Sequence, residues 1–209
     1  ASTVIVAAGA VLTIGLTAIG LWFFIRGVAR IVALIRAGAP ESGRWDHPAQ
    51  RLAHTLWDTL AHTTFRGRPL IRLAHWLVMI SFVVLFVTLI RSYYQVFRPQ
   101  GTLPFFGIWA PWNWLTEVLA WTGLLSIIYL MVVRTFTNST AAEHPRESRF
   151  FGSTNWQARF VEWVILSISA LVVVLHGLDY ALGLKTGNPL ATVSHFPLTA
   201  WLGMPLAGL

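Results

Sequence analysis

Four blocks of apolar residues divide the chain, running roughly from Thr3 to Ile25, Leu70 to Ile90, Trp112 to Val133 and Phe160 to Leu182. About 20 such residues cross a hydrocarbon core about 30 Å thick, and a helix satisfies its own backbone there. The pattern predicts an all-α integral membrane fold: a four-helix transmembrane bundle over residues 1–182, with a cytoplasmic segment at 26–69. Within that segment, PAQRLAHTLWDTLAHTTF (48–65) spaces Leu52, Leu56 and Leu60 at helical intervals with polar residues between. It predicts an amphipathic interfacial helix on the cytoplasmic membrane face, and Pro48 suits its first turn. The apolar side of this helix is alternatively a seat for a cytoplasmic partner domain. Residues 183–209 are rich in Gly and Pro and predict an outer loop, with room for a short interfacial piece and an expected fifth span beyond it.

Composition agrees with the pattern. The 209 residues are 56% hydrophobic and 11% charged, with a mean hydropathy of +0.63; a soluble domain carries about 25% charged residues. The net charge of +7 does not point to nucleic acid, because the arginines sit at the ends of the spans. They are topology signals. Twelve of the fifteen basic residues fall in two segments, with Arg26, Arg30, Arg36, Arg44, Arg51, Arg66, Arg68 and Arg72 in one and Arg134, Arg146, Arg149 and Arg159 in the other. The positive-inside bias puts both segments in the cytoplasm and the N-terminus outside. Trp109, Trp112, Trp114, Tyr93 and Tyr94 fit an outer aromatic belt. With no basic segment before the first apolar run, a cleaved signal peptide is not expected. Cysteine is absent, so the chain itself offers no disulfide, no thiolate zinc site and no iron–sulfur cluster.

Ionisable side chains inside spans are functional candidates by default. They are His75, Arg91, Glu117, Glu162, His176 and Asp179. Arg91, Glu162 and Asp179 lie near span ends and read as interfacial or ion-paired groups; Glu117 is a candidate partner for Arg91. His75 sits one turn inside the second span, toward the cytoplasm, and His176 sits deep in the fourth, toward the outside. Neutral imidazole is a good axial ligand for haem iron, and helical bundles hold haem between helices. Each histidine also has a plain reading as a hydrogen-bonded packing residue. Their different depths argue against a shared haem. Met131 is the only conventional alternative ligand at the depth of His75; Met79 is on the helix of His75, and His54 and His62 would have to dip into the bundle, so an axial partner for His75 is expected outside this chain. Only His195 is expected to approach His176. Arg72 and its neighbours are candidates for holding haem propionates, or are plain topology signals. Glu117, Asp179 and His176 are candidates for proton relay to a quinone.

Three stretches carry a resemblance: RPLIRLAHWLVMISFVVLFVTLIRSYYQVF, LPFFGIWAPWNWLTEVLAW and ESRFFGSTNWQARFVEWVIL. They resemble the membrane domain of actinobacterial iron–sulfur oxidoreductases similar to electron-transfer-flavoprotein:menaquinone oxidoreductase, a cytochrome b domain like the gamma subunit of respiratory nitrate reductase. The most specific marks are His75-Trp76 at the start of the second span and the Ser148–Ser153 segment before the fourth. The resemblance implies a bacterial plasma-membrane protein with five spans, haem b and menaquinone. It implies electron delivery from a cytoplasmic iron–sulfur or flavoprotein partner, and it gives His75 the role of haem ligand; His176 stays a second candidate. The chain departs from the family in lacking the fifth span and every cluster cysteine, so the clusters belong to a further domain or a partner subunit. Two rival classes are a non-redox anchor that docks a partner on the membrane and a small transporter subunit. Against transport, no pair of broken spans recurs in two halves.

Overall fold

The computed structural model describes residues 3–39, 43, 46–98, 101, 106–137 and 155–208. Arg44, Arg146, Arg149 and the Ser148–Ser153 mark lie outside them. The described chain is all-helical: α1 (Thr3–Ala37), α2 (Pro48–Ala61), a short 3-10 turn (Thr63–Phe65), α3 (Pro69–Phe97), α4 (Ala110–Thr137), α5 (Asn155–Thr186) and α6 (Ala200–Ala207). Four of these, α1, α3, α4 and α5, are long and apolar enough to cross a bilayer, the architecture of a multi-pass membrane protein.

Each long helix outruns the apolar block that predicted it. The span expected to end at Ile25 continues as helix to Ala37, because Arg26, Arg30, Leu34 and Arg36 are good helix formers, which carry the single Gly27 within the helix, and no proline intervenes before Gly38. Pro69 begins α3, at the position where a missing N–H costs nothing. Gly187 ends α5 with φ 67°; its N–H reaches Leu184 O, and that of Asn188 reaches Gly183 O at 2.9 Å. This is a Schellman cap, and it needs the left-handed residue that glycine supplies.

Contacts divide the chain into two compact units. The first comprises residues 1–59 and 89–102. In it, α1 buries none of its residues, and Arg26 lies over the Trp22 ring at 4.7 Å. The hydroxyls of Thr17 and Tyr93 meet at 2.5 Å.

The second unit comprises residues 60–88 and 103–209. Leu85 of α3, Ala120 of α4 and Val173 of α5 form its core, with Trp121, Leu124, Val172 and Leu202 packed around them. Ser81 of α3 donates to the Leu119 carbonyl of α4 at 2.8 Å, and Gly123 lies so close that an added Cβ would stand 2.9 Å from Ser81. Small residues thus let the helix backbones approach, as they do where lipid supplies no hydrophobic drive. The C-terminal stretch contains one short helix. Ala200–Ala207 is helical, and α6 packs against α5, with Gly203 so close to the Gly177 carbonyl that a Cβ there would overlap it.

Candidate functional site

The second unit holds two histidine sites, built in opposite ways. One lies where α4, α5 and the start of α6 meet. Glu117 is seven residues into α4 and only 1% exposed; His176 of α5 is 6% exposed and Thr199, before α6, 1%. The Glu117 carboxylate takes three donors. His176 Nδ1 lies 3.3 Å from Oε1, the Leu198 N–H donates to Oε2 at 2.7 Å, and the Thr199 hydroxyl donates to Oε1. An ionised carboxylate only accepts, so the His176 tautomer with Nδ1–H fits this arrangement. Phe196 meets the His176 ring edge-to-face at 6.2 Å. Two further indole bonds tie the loop down: Trp114 Nε1 to Ser194 O at 2.9 Å and Trp201 Nε1 to Leu198 O at 2.7 Å.

The Glu117 oxygens are engaged by His176, Leu198 and Thr199. One expectation is corrected: His195 is expected to approach His176, and instead its Nδ1 meets Thr192 Oγ1 at 3.0 Å. His176 itself takes the plain reading of a hydrogen-bonded packing residue, and only its second ring nitrogen remains for a metal. Glu162 is ion-paired as expected, its Oε1 2.8 Å from Arg134 Nε. Asp179 is partly buried on α5.

The other site lies at the arginine-rich end, where the chain turns from α2 into α3. The predicted amphipathic helix of 48–65 stops at Ala61. His62 then adopts a left-handed conformation, φ 48° and ψ 48°, which a residue other than glycine adopts at a cost. The 3-10 turn follows, and residues 65–68 close a type II turn. Arg68 N–H donates to Phe65 O at 3.1 Å, Arg66 has φ −56° and ψ 133°, and Gly67 has φ 86°, the positive value that type II requires.

That reversal lays the His62 and Phe65 rings against His75. Phe65 stacks on His75 with centroids 4.5 Å apart and planes 15° apart, and the His62 ring centre is 6.3 Å from that of His75. His75 is half-buried and makes no hydrogen bond among the described residues. The Nδ1 atom of His62 is buried with no hydrogen-bond partner. Two imidazoles with unused nitrogens thus stand side by side, away from the apolar core.

Beside them opens a cleft of about 360 Å³, lined by Leu60, Ala61, Phe65, Arg72, Leu73 and Trp76 among others. Arg72 Nε donates to Ala61 O at 2.7 Å, which fixes the guanidinium plane at the cleft wall. Arg72 and His75 are therefore brought to the same corner, with Phe65 between ring and cleft. Among the described residues no group of three or more His, Cys, Asp or Glu side chains could hold a metal ion. By sequence alone His62 stands too far from the bundle to join such a corner. The signal that places it is the compact run HTTFRGRP (62–69), whose Gly and Pro force an immediate return to α3.

Protein-family models, curated proteins and solved structures give no match to the chain.

Proposed function

We propose that the chain is the membrane-embedded electron-transfer part of a quinone-linked oxidoreductase, with His75 an axial ligand of a b-type haem. The observation that carries this reading is the state of His75. A histidine in an apolar helix has a plain role when its ring is hydrogen-bonded to a buried partner, as His176 Nδ1 is to Glu117. The His75 ring has no such bond and is held by stacking on Phe65, which covers its face and leaves the in-plane nitrogens for a ligand. The donor set fits the group: an imidazole for iron, an orphaned buried nitrogen on His62 beside it, and Arg72 at the wall of an adjoining cleft.

When bound, haem supplies one-electron redox chemistry, its potential set by axial ligand, burial and nearby charge. His75 would bind and orient it. Phe65 would keep water from one side of the imidazole, and Arg72 would hold a carboxylate through its remaining guanidinium N–H groups. Menaquinone as acceptor and a cytoplasmic iron–sulfur or flavoprotein donor, in a bacterial plasma membrane with the arginine-rich ends inside, complete the proposal and rest on the sequence resemblance alone.

The test is colour. The chain purified in detergent from haem-replete cells is expected to show a Soret band that shifts on dithionite reduction, and His75→Ala is expected to lose that haem. A colourless protein favours the anchor reading, in which the exposed Leu52, Leu56 and Trp57 of α2 dock a partner or lie in the membrane surface. Unchanged haem content in His75→Ala overturns the ligand assignment.

A further inference from the structure

We propose that the cleft at the α2–α3 corner holds one anionic phospholipid from the leaflet at the arginine-rich end, its phosphate on Arg72 and the top of its acyl chain along Leu73 and Trp76. The inference goes beyond the haem reading and uses neither iron nor His75.

The order of polarity along the cleft carries it first. From α3 the cleft is lined by Pro69, Arg72, Leu73 and Trp76. Their spacing of i, i+3, i+4 and i+7 makes one face of a helix, and His75 is not part of it. Trp76 lies about 6 Å further along α3 than Arg72 at 1.5 Å per residue, toward the apolar middle of the span. Ile80 and the exposed Val83 continue the same stripe. On the other side, Arg66 and Arg68 are exposed on the turn before Pro69. Guanidinium, indole and aliphatic side chain thus follow one another as phosphate, glycerol ester and acyl chain do in a phospholipid, and an indole favours the ester depth.

The state of Arg72 carries it second. Its Nε donates to Ala61 O at 2.7 Å, its only polar partner among the described residues. That bond fixes the plane of the guanidinium and leaves its Nη N–H groups as a fork, the arrangement that takes two oxygens of a phosphate. No carboxylate lies among the described residues lining the cleft. A cation walled by apolar side chains attracts an anion, and the ammonium of a zwitterionic headgroup finds no counter-charge there. Basic pockets beside spans on the positive side of a membrane take anionic headgroups for this reason.

The opposite wall decides between a lipid and a free anion. It is formed by Leu60 at the end of α2 and by Phe65 of the 3-10 turn. The exposed Leu56, Trp57 and Leu60 give α2 an apolar side, the character of a helix lying at headgroup depth. A free phosphate leaves that wall and Trp76 uncovered; a phospholipid covers both. The volume of about 360 Å³ is that of a small-ligand site.

The full chain is purified in detergent, stripped of lipid by washing, and titrated with phosphatidylglycerol or phosphatidylcholine of the same acyl chains, and bound lipid is counted by native mass spectrometry. Wild type is expected to hold one phosphatidylglycerol at concentrations where it holds no phosphatidylcholine. One basic contact is worth about a fivefold change in affinity for anionic lipid, so Arg72→Gln is expected to weaken phosphatidylglycerol at least fivefold. Arg159→Gln removes the same charge from the arginine-rich end of α5, outside the cleft, and is expected to change it less than twofold. Leu73→Trp fills the cleft, keeps Arg72 with its Ala61 bond, and is expected to lose the lipid as well. A haem carboxylate and a lipid phosphate are rivals for the same Arg72 donors, so His75→Ala is expected to hold phosphatidylglycerol at least as tightly as wild type.

Equal retention of the two lipids, or of neither, overturns the site. Equal losses in Arg72→Gln and Arg159→Gln reduce it to general attraction by a basic surface, and retention in Leu73→Trp places the lipid elsewhere. Displacement of the lipid by inorganic phosphate, with chloride at the same ionic strength without effect, makes the cleft a phosphate site and overturns the lipid assignment. Weaker binding in His75→Ala ties the cleft to the His75 centre and overturns its independence. A chain that binds no haem but keeps its phosphatidylglycerol removes the haem reading and leaves this one standing.

Discussion

His176 and His75 both sit in helices apolar enough to cross a bilayer, and they are treated oppositely by their surroundings. At His176 the Nδ1 atom and both oxygens of its Glu117 partner are hydrogen-bonded. Glu117 gathers the imidazole, a hydroxyl and a backbone N–H from three parts of the chain, and the whole group is buried. At His75 the imidazole is half-exposed and held by ring stacking, while the neighbouring His62 leaves a nitrogen buried and unpaired on a strained backbone. A buried polar group is stable when paired and expensive when not. The first site is therefore built as a structural fastening, and the second leaves imidazole nitrogens unused, the condition on which the proposed ligand role of His75 rests. An ionisable residue within a span marks a functional candidate; its hydrogen-bond state then separates the fastening from the site.

The contrast breaks most sharply at Glu117. Replacing it by leucine leaves the Leu198 N–H, the Thr199 hydroxyl and the His176 ring buried without their acceptor. Removing one member of a buried charged network costs about 3–5 kcal/mol. Glu117→Leu is expected to lower the thermal midpoint of near-ultraviolet circular dichroism in detergent by more than any substitution at Gly203, His62 or His47. Glu117→Gln, which keeps one acceptor oxygen but turns an NH₂ toward donors, falls between. Haem content, if the His75 reading holds, should stay as in wild type, because the fastening does not touch the α2–α3 corner. A fall in haem that tracks the fall in stability would merge the two sites and remove the distinction.

Next in size is the packing that the same fastening secures. Gly203 of α6 lies against the Gly177 carbonyl of α5 with no space for a methyl group. Forcing a side chain into such a contact costs about 1–3 kcal/mol. Gly203→Ala is expected to lift α6 from α5 and disturb the Trp121–Trp201 stack, whose centroids are 6.3 Å apart. The readout is a red shift of tryptophan emission with helicity unchanged. Emission identical to wild type would mean that α6 is not held by this glycine contact.

Much of the fold is legible in the residues, and the reasons mark where legibility ends. Apolar blocks show a span because lipid imposes one composition along its whole length, so α1, α3, α4 and α5 stand out. Their true ends do not, since a helix continues into water for as long as its residues propagate it, as Arg26 to Arg36 do. The α6 segment reads as loop because Gly203 and Pro205 count against helix locally, while the tertiary contact that needs Gly203 is invisible in a linear pattern. The Glu117–His176 pair joins residues 59 positions apart; Glu117 is visible as a buried acid in search of a partner, but depth alone offers Arg91 as readily. His62 is missed because a surface helix continued to residue 65 would carry it away from α3. The left-handed turn at His62 is a backbone event that histidine does not signal, since glycine or asparagine ordinarily marks it.

The smallest expected effect probes that turn without any cofactor, and its sign is the informative part. In the haem-free chain His62 Nδ1 gives up no hydrogen bond on removal, and glycine relieves a left-handed residue. His62→Gly should therefore leave the haem-free protein unchanged or raise its stability by up to about 1 kcal/mol, offset in part by the greater freedom of glycine in the unfolded chain. His47, also left-handed at φ 53°, provides the comparison: His47→Gly measures the same backbone relief at the start of α2, away from any candidate site. Matching small gains in thermal midpoint mean that the His62 ring contributes nothing to the fold and is retained for what it binds. A loss at 62 beside a gain at 47 means that the ring holds the corner by its contacts with Phe65 and His75, and His62 would then be a second fastening, of the same kind as His176.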